Sequence, residues 1–304
     1  MAIVFSFPGF EAIANSIAGE KNMQRGDVTV RQFPDGESYV RLNSPVQGQD
    51  VIIVCGLDNP DRKIMALMFF AHTARKMGAG SIGLVAPYLG YMRQDKEFQD
   101  GEAVTADIFA AFLSQMVDWL VTIDPHLHRH EKLNEIYSIP SMAIHANDLI
   151  AEWIRANINH PLLIGPDKES EQWVSEVAKK ATAPFIILTK TRRGDRDVEV
   201  SIPDLANWRN HTPVLIDDII STAGTMITTA AHLKDAGMKP PVCIGVHGIF
   251  AGDAYEKLLA SDVEKIITCN SIRHKSNGIA LENIIVTAVI KISGPDPKNL
   301  FGND

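Results

Sequence analysis

The feature that most constrains this chain is a repeated alternation. Short apolar runs rich in Val and Ile, at 51–57, 81–89, 119–124, 162–165, 185–190, 214–220, 242–247 and 265–269, are separated by longer amphipathic segments. Runs of that length and composition read as buried strands, and strands that alternate with helices pair in parallel because each crossover returns the chain to the same end of the sheet. Helical periodicity marks 61–77, 105–116, 148–157, 171–180 and 225–236, with Gly78 and Gly237 placed as C-caps of two of them. The pattern occurs twice, before and after about residue 145, with no low-complexity linker between the halves. The expectation is an α/β protein of two similar domains, 1–145 and 146–304, each a mostly parallel sheet flanked by helices. A length of 304 residues with 45% hydrophobic content suits about two ordinary domains with filled cores.

Composition excludes several classes of function. A formal net charge of -8 opposes nucleic-acid binding, which rests on neutralising phosphates. Cys55, Cys243 and Cys269 stand singly in apolar runs, a usage that fits reduced thiols in the cytoplasm better than disulfides or zinc. The start, MAIVFSFPGF, lacks the basic residues of a signal peptide, and no apolar run has the length of a membrane span.

In open parallel sheets, ligands bind beyond the carboxyl ends of the strands. The residues just past the apolar runs therefore carry most weight: Pro87-Tyr88, Asp124-Pro125-His126, Asp167, Lys190 with Arg192, Asp217-Asp218 and His247. Gly78 to Gly83 matches G-x-G-x-x-G, but it closes a helix and opens a strand, the reverse of a dinucleotide fingerprint. No G-x-x-x-x-G-K-[ST] sequence accompanies the acidic pair. The triplet His126, His128 and His130 reads as a solvated loop rather than zinc, since no partner set at structural-zinc spacing exists. Asp124 and His126 at a strand end could instead hold a nucleotide-bound divalent metal.

The stretch VLIDDIISTAGT, residues 214–225, is the most informative. Two adjacent carboxylates at the end of a buried run are costly unless a ligand meets them. After them, Ser221, Thr222, Ala223, Gly224 and Thr225 offer hydroxyls and small side chains before a helix, and the amides of a helix start cradle phosphate. Paired acceptors beside a phosphate seat suit the vicinal hydroxyls of a phosphorylated sugar. Lys190, Arg192, Arg193 and Arg196 concentrate positive charge in this acidic chain, reading either as a solvated loop or as a lid that meets a transferring pyrophosphoryl group.

The stretch 214–225 resembles the phosphoribosyl-pyrophosphate loop of type I phosphoribosyltransferase folds. The segments FPDGE at 33–37, PYLGYMRQDK at 87–96, TIDPH at 122–126, KTR at 190–192 and HGIF at 247–250 occur in the order seen in ribose-phosphate pyrophosphokinases. That resemblance covers about residues 30–290. It implies two phosphoribosyltransferase-like domains, an ATP side and a ribose 5-phosphate side. The reaction it implies is ATP plus ribose 5-phosphate giving AMP plus phosphoribosyl pyrophosphate, a precursor for nucleotide biosynthesis. Under it, Arg93, Gln94 and His126 bind ATP, His126 and Asp167 lie around Mg²⁺, and Lys190 and Arg192 are catalytic. Asp217 and Asp218 bind the ribose hydroxyls, and Ser221 to Thr225 hold the 5-phosphate. Phe33, Asp35 and Glu37 reach adenine in a neighbouring subunit's site, which implies a homo-oligomer. Three features depart from the family's pattern: Lys168-Glu169-Ser170-Glu171 after Asp167, Ser221 in place of an acid, and a short tail after Ile292 without the usual terminal helix. A phosphoribosyltransferase would share the sugar loop but leave the RQD segment and the duplication unexplained. A non-catalytic homologue would not need Lys190, Arg192, His126, Asp217 and Asp218 together.

Overall fold

The computed structural model describes residues 1–127, 129–193, 197–201 and 205–294, which fall into two compact units. The first comprises Met1–Ile144 with the segment from Leu281, and the second His145–Ala280. In chain order the first unit runs β1 (Ala2–Ser6), α1 (Glu11–Ala18), β2 (Met23–Arg25), β3 (Val28–Gln32), β4 (Ser38–Leu42), β5 (Asp50–Val54), α2 (Pro60–Lys76), β6 (Ser81–Ala86), α3 (Thr105–Met116), β7 (Trp119–Ile123) and β8 (Ser141–Ile144). Its six-stranded sheet has the order β2-β1-β5-β6-β7-β8, with every pairing parallel. The second unit runs α4 (Asn147–Asn157), β9 (Pro161–Gly165), α5 (Glu171–Ala181), β10 (Phe185–Ile187), β11 (Thr189–Arg193), β12 (Asp197–Ser201), β13 (Thr212–Ile220), α6 (Gly224–Asp235), β14 (Val242–Gly248), α7 (Ala254–Leu259), β15 (Lys265–Cys269) and β16 (Asn277–Ile279). Its sheet, β10-β9-β13-β14-β15-β16, repeats the winding of the first and is again parallel throughout. The duplication read from the alternation is thus a duplication of topology.

Continuous apolar runs form the central strands because helices cover both faces of a parallel sheet. Every residue of β7 and of β14 is buried. The helices supply matching stripes: Val174, Val177, Ala178 and Ala181 form the buried face of α5. Burying one such valine is worth about 1.5–3 kcal/mol. Gly83 on β6 pairs with Trp119 on β7, and a Cβ there would lie 1.9 Å from Trp119 Cζ2, so the indole packs across a strand that has no side chain at that point. Gly78 and Gly237 close α2 and α6 with φ of 85° and 73°, and the amides of Ala79 and Met238 return to the carbonyls of Ala74 and Leu233. That is the Schellman closure expected of them.

The structure differs from the expectation at three places. The run 185–190 is split: β10 ends at Ile187, and β11 leaves the sheet to pair antiparallel with β12 as a separate ribbon. The acidic pair does not follow its strand but lies within β13, which continues through Ile219 and Ile220. The second domain was expected to run to 304, yet α8 (Glu282–Ile292) packs on α1, β7 and β8 of the first unit. It buries Ile285, Ala288, Val289 and Ile292. The tail at 295–304 lies outside the described residues.

Candidate active site

In both sheets the strand order reverses beside the first strand, between β1 and β5 and between β9 and β13. Such a switch point opens a crevice at the carboxyl end of the sheet, because the two adjoining connections leave in opposite directions. In the second unit that crevice is lined by Asp167, just past β9, and by Asp217 and Asp218 on β13. Asp167 is fixed by its own turn: its Oδ1 accepts the Ser170 N–H at 3.2 Å, and Ser170 Oγ donates to its carbonyl at 2.7 Å. The replacement sequence at 168–171 therefore closes this turn through Ser170 and leads directly into α5.

The Asp218 N–H donates to Asp217 Oδ1 at 3.0 Å, and the two carboxyl groups approach within hydrogen-bonding reach. Burial, the charge of Asp218, the hydrogen bond with its carboxyl and the charge of Asp167 together push the Asp217 carboxyl well above the usual carboxylate range. Three acids at one crevice form a set of oxygen acceptors.

Beyond β13 the chain turns through Ser221 and Thr222, and Ala223 takes a left-handed conformation with φ 59° before α6 begins at Gly224. The first-turn amides of a helix have no intrahelical acceptors. A Cβ on Gly224 would meet only Thr222 Oγ1, at 3.8 Å, so its backbone faces open space that a phosphate can approach. The loop is held from behind. Ile249 and Phe250 both donate their N–H to the Ile220 carbonyl at 3.0 Å, and the Ala251 N–H donates to Ser221 O at 3.0 Å. The motif at 247–250 was visible in sequence, but this backbone clamp was not, because it is made by amides.

The corresponding crevice of the first unit is closed by its own side chains. Lys63 Nζ donates to Gly56 O at 2.8 Å and pairs with Asp58 at 2.6 Å, while Phe10 packs where a Cβ on Gly56 would stand. Helix α2 starts as α6 does, after a left-handed residue, Asn59, but with Pro60, which has no N–H to offer. The first unit presents other residues instead. Asp124, past β7, is buried with φ 33° and donates its N–H to Ile144 O, and the half-exposed His126 follows it. The segment carrying the exposed Arg93 and the half-buried Gln94 is pinned to the start of α3: Thr105 Oγ1 donates to Tyr91 O, and the Ala106 N–H donates to Gln94 O. Tyr91 also binds Asp61 through its hydroxyl and lies in the left-handed region at φ 62°. Asp124, Tyr91, Ala223 and Phe250 are non-glycine residues at positive φ in the connections that follow β7, β6, β13 and β14. Strain of this kind persists where surrounding structure fixes the backbone, as at binding sites.

The remaining candidates fall elsewhere. Phe33, Asp35 and Glu37 occupy the exposed tip of the β3–β4 hairpin, closed by Phe33 N–H to Glu37 O at 2.8 Å and Gly36 N–H to Phe33 O at 2.9 Å. Arg31 stacks over the rings of Phe33 and Tyr39, at 4.7 and 4.2 Å from their centroids, and so fixes Phe33; sequence reasoning missed it. Arg129 and His130 pair with acids, Arg129 with Asp95 and His130 with Asp107 and Glu135. Lys190 and Arg192 lie on β11, but their side chains lie outside the described residues, as do His128 and Arg196. Asp167, Asp217 and Asp218 are brought together in the second unit, whereas His126 belongs to the first.

Comparison with known proteins decides the family. Residues 2–116 match the N-terminal domain of ribose phosphate pyrophosphokinase, and residues 132–282 match the phosphoribosyl transferase domain. The chain is 30% identical over 289 residues to the ribose-phosphate pyrophosphokinase of Methanobrevibacter smithii, covering 91% of this chain and 96% of that one. It belongs to the ribose-phosphate pyrophosphokinase family. The corresponding protein of Saccharolobus solfataricus is 32% identical over 243 residues, 79% of this chain and 82% of that one. The crystal structure of phosphoribosylpyrophosphate synthetase from Mycobacterium smegmatis matches with a TM-score of 0.82 over 96% of this chain and 98% of that chain, at 21% identity, and shares the fold. The family resemblance drawn from the motifs is thereby established, and the enzyme is a transferase.

Proposed function

We propose that this family member transfers the β,γ-diphosphoryl group of ATP to the C1 hydroxyl of ribose 5-phosphate, giving phosphoribosyl pyrophosphate and AMP as precursor supply for nucleotide biosynthesis. One observation carries the reading: the electrostatically strained acid pair Asp217 and Asp218 lies on β13, the strand that leads through a short turn into the open helix start at Gly224. A 5-phosphate seated on the amides and hydroxyls of Ser221 to Thr225 places the ribose over the carboxylates. There the vicinal hydroxyls donate to Asp217 and Asp218 and relieve their repulsion. Held at both ends, the sugar presents its C1 hydroxyl in a fixed direction, and positioning is the main contribution an enzyme makes to phosphoryl transfer.

Arg93, Gln94 and His126 bind the nucleotide, the backbone of the first two pre-set by the contacts of Tyr91 and Gln94 with α3. Phe33, Asp35 and Glu37, on a braced and exposed tip, reach adenine in the site of a neighbouring copy of this chain, so the protein works as a homo-oligomer. Lys190 and Arg192 stabilise the charge that moves with the diphosphoryl group. The acid cluster of the second unit has the oxygen chemistry that Mg²⁺ prefers, with Asp167 as the residue that would hold it there. The chemistry the ion would supply there is neutralisation of phosphate charge. The protein belongs in a reducing cytoplasm: its three cysteines are buried and in no disulfide, and burial pushes the Cys55 and Cys243 thiols up to about 12. No described helix is long and apolar enough to cross a membrane.

The test is AMP release from ATP and Mg²⁺ with and without ribose 5-phosphate. The reading expects release only with the sugar phosphate, and sugar-independent release or none at all would refute it.

A further inference from the structure

Behind the phosphate loop, three rings from three segments pack as one cluster. Phe250 follows β14, Tyr255 lies on α7, and His274 lies between β15 and β16. Phe250 stands 5.1 Å from Tyr255 edge-on and 4.5 Å from His274, and His274 stands 4.7 Å from Tyr255. Phe250 is also one of the residues whose amide grips Ile220 O at the start of the loop, and it does so at φ 47°. A bulky residue holds that conformation only when its surroundings impose it. The ring packing supplies the constraint: Phe250 is buried, and a Cβ on Gly248 would strike its ring at 2.6 Å.

His274 is held as a neutral ring of one tautomer. Its Nδ1 accepts the Ser276 N–H at 3.2 Å, which leaves the ring proton on Nε2. Ser276 Oγ lies 2.8 Å from the same nitrogen. Asn277 fixes the loop around it, accepting the His274 N–H through Oδ1 and donating to Thr268 Oγ1, Cys269 O and Ile272 O. The charged groups facing the ring are Lys275, whose Nζ lies 4.2 Å over Tyr255, and Glu256 on α7, which pairs with Lys275 at 3.3 Å.

We propose, resting on the phosphosugar reading of residues 221–225, that Phe250 and His274 are positioning residues for the ribose 5-phosphate loop, and that the neutral His274 ring holds it in its phosphate-binding shape. A proton on Nδ1 would meet the Ser276 N–H head-on and put a second cation beside Lys275. The ring would turn away from Phe250 and free the amide clamp on Ile220 and Ser221. Burial first, then the charge of Lys275, against the opposing pull of Glu256, lowers the affinity of His274 for a proton below the ordinary histidine value. The clamp therefore persists at neutral pH and is released only toward acid.

The experiment measures KM for ribose 5-phosphate and for ATP in the wild type, His274→Ala and His274→Phe, with thermal melting of each. His274→Ala should raise KM for the sugar phosphate on the order of tenfold while KM for ATP stays within about twofold. His274→Phe keeps an aromatic ring that cannot be protonated. Its KM for the sugar relative to wild type should fall as the pH is lowered from about 7.5 to about 5.5; the second ionisation of the sugar phosphate, near 6, cancels in that ratio. The proposal is overturned if both KM values rise together in His274→Ala, or if the ratio for His274→Phe is flat with pH. Should His274→Ala not fold, the ratio alone decides. A wild-type enzyme with saturable dependence on ribose 5-phosphate but unmoved variants rejects the clamp and leaves the loop reading intact, whereas no such dependence in the wild type rejects the loop reading itself.

Discussion

Replacing Asp217 with Asn should make the protein more stable and a poorer binder of sugar phosphate, a pairing that follows from its surroundings. The Asp217 carboxyl is pushed up by burial and by the charges of Asp218 and Asp167, so its ionised form is destabilised in the folded protein relative to the unfolded chain. For an acid of raised folded pKa, the penalty is absent below the unfolded value and grows as pH rises from about 4 toward the folded value. Asparagine keeps the oxygen that accepts the Asp218 N–H but removes the charge. Relief of this sort typically yields about 0.5–2 kcal/mol, and at about 2–4 °C per kcal/mol for a domain of this size Tm should rise by about 1–8 °C. The gain over wild type should widen as the pH rises from about 4. One charge-assisted hydrogen bond to the sugar is lost, worth about 1.5–3 kcal/mol, so Kd for ribose 5-phosphate should increase about 10- to 150-fold. Differential scanning calorimetry and isothermal titration read the two effects on the same preparation. A lowered Tm would show that Asp217 supports the fold, and an unchanged sugar affinity would remove it from the site.

Lys190→Ala and Arg192→Ala should each lower kcat and kcat/KM together, on the order of 10³-fold, with the double variant losing less than the product of the two; a single-turnover rate that survives while ATP affinity collapses would make the ribbon a binding clamp. Mixing Arg93→Ala subunits with Phe33→Ala subunits should recover activity if adenine is held by the hairpin tip of a neighbouring copy; mixed oligomers that recover none would place Phe33 outside the nucleotide site.

Strands in the centre of each sheet were legible because burial on both faces leaves a run of apolar residues with no competing pattern, as in 119–123 and 242–248. The phosphate loop was legible because paired acids and small hydroxyl residues have few other uses together. What stayed hidden depended on tertiary choices. Helix α8 carries an ordinary amphipathic stripe, and nothing local says that it docks on α1 of the first unit rather than on the adjoining second. The closure of the first unit's crevice by Lys63 hides equally well, since a lysine in the first turns of a helix is unremarkable until its ammonium is seen on Gly56 O and Asp58. Arg31 escaped for the same reason: its partners Phe33 and Tyr39 meet it only once β3 and β4 pair. Residues 189 and 190 were read as the end of a sheet strand because they follow Phe185-Ile186-Ile187-Leu188 with no turn residue between, whereas the chain leaves the sheet to form the β11–β12 ribbon.

The central claim is transfer of a diphosphoryl group, and the fate of the β-phosphorus of ATP tests it most directly. With ATP labelled at that atom, Mg²⁺ and ribose 5-phosphate, a single turnover separated by chromatography should carry all transferred label on the sugar as a diphosphate and leave the AMP unlabelled. Label retained in ADP, with a single phosphoryl group on the sugar, would contradict it.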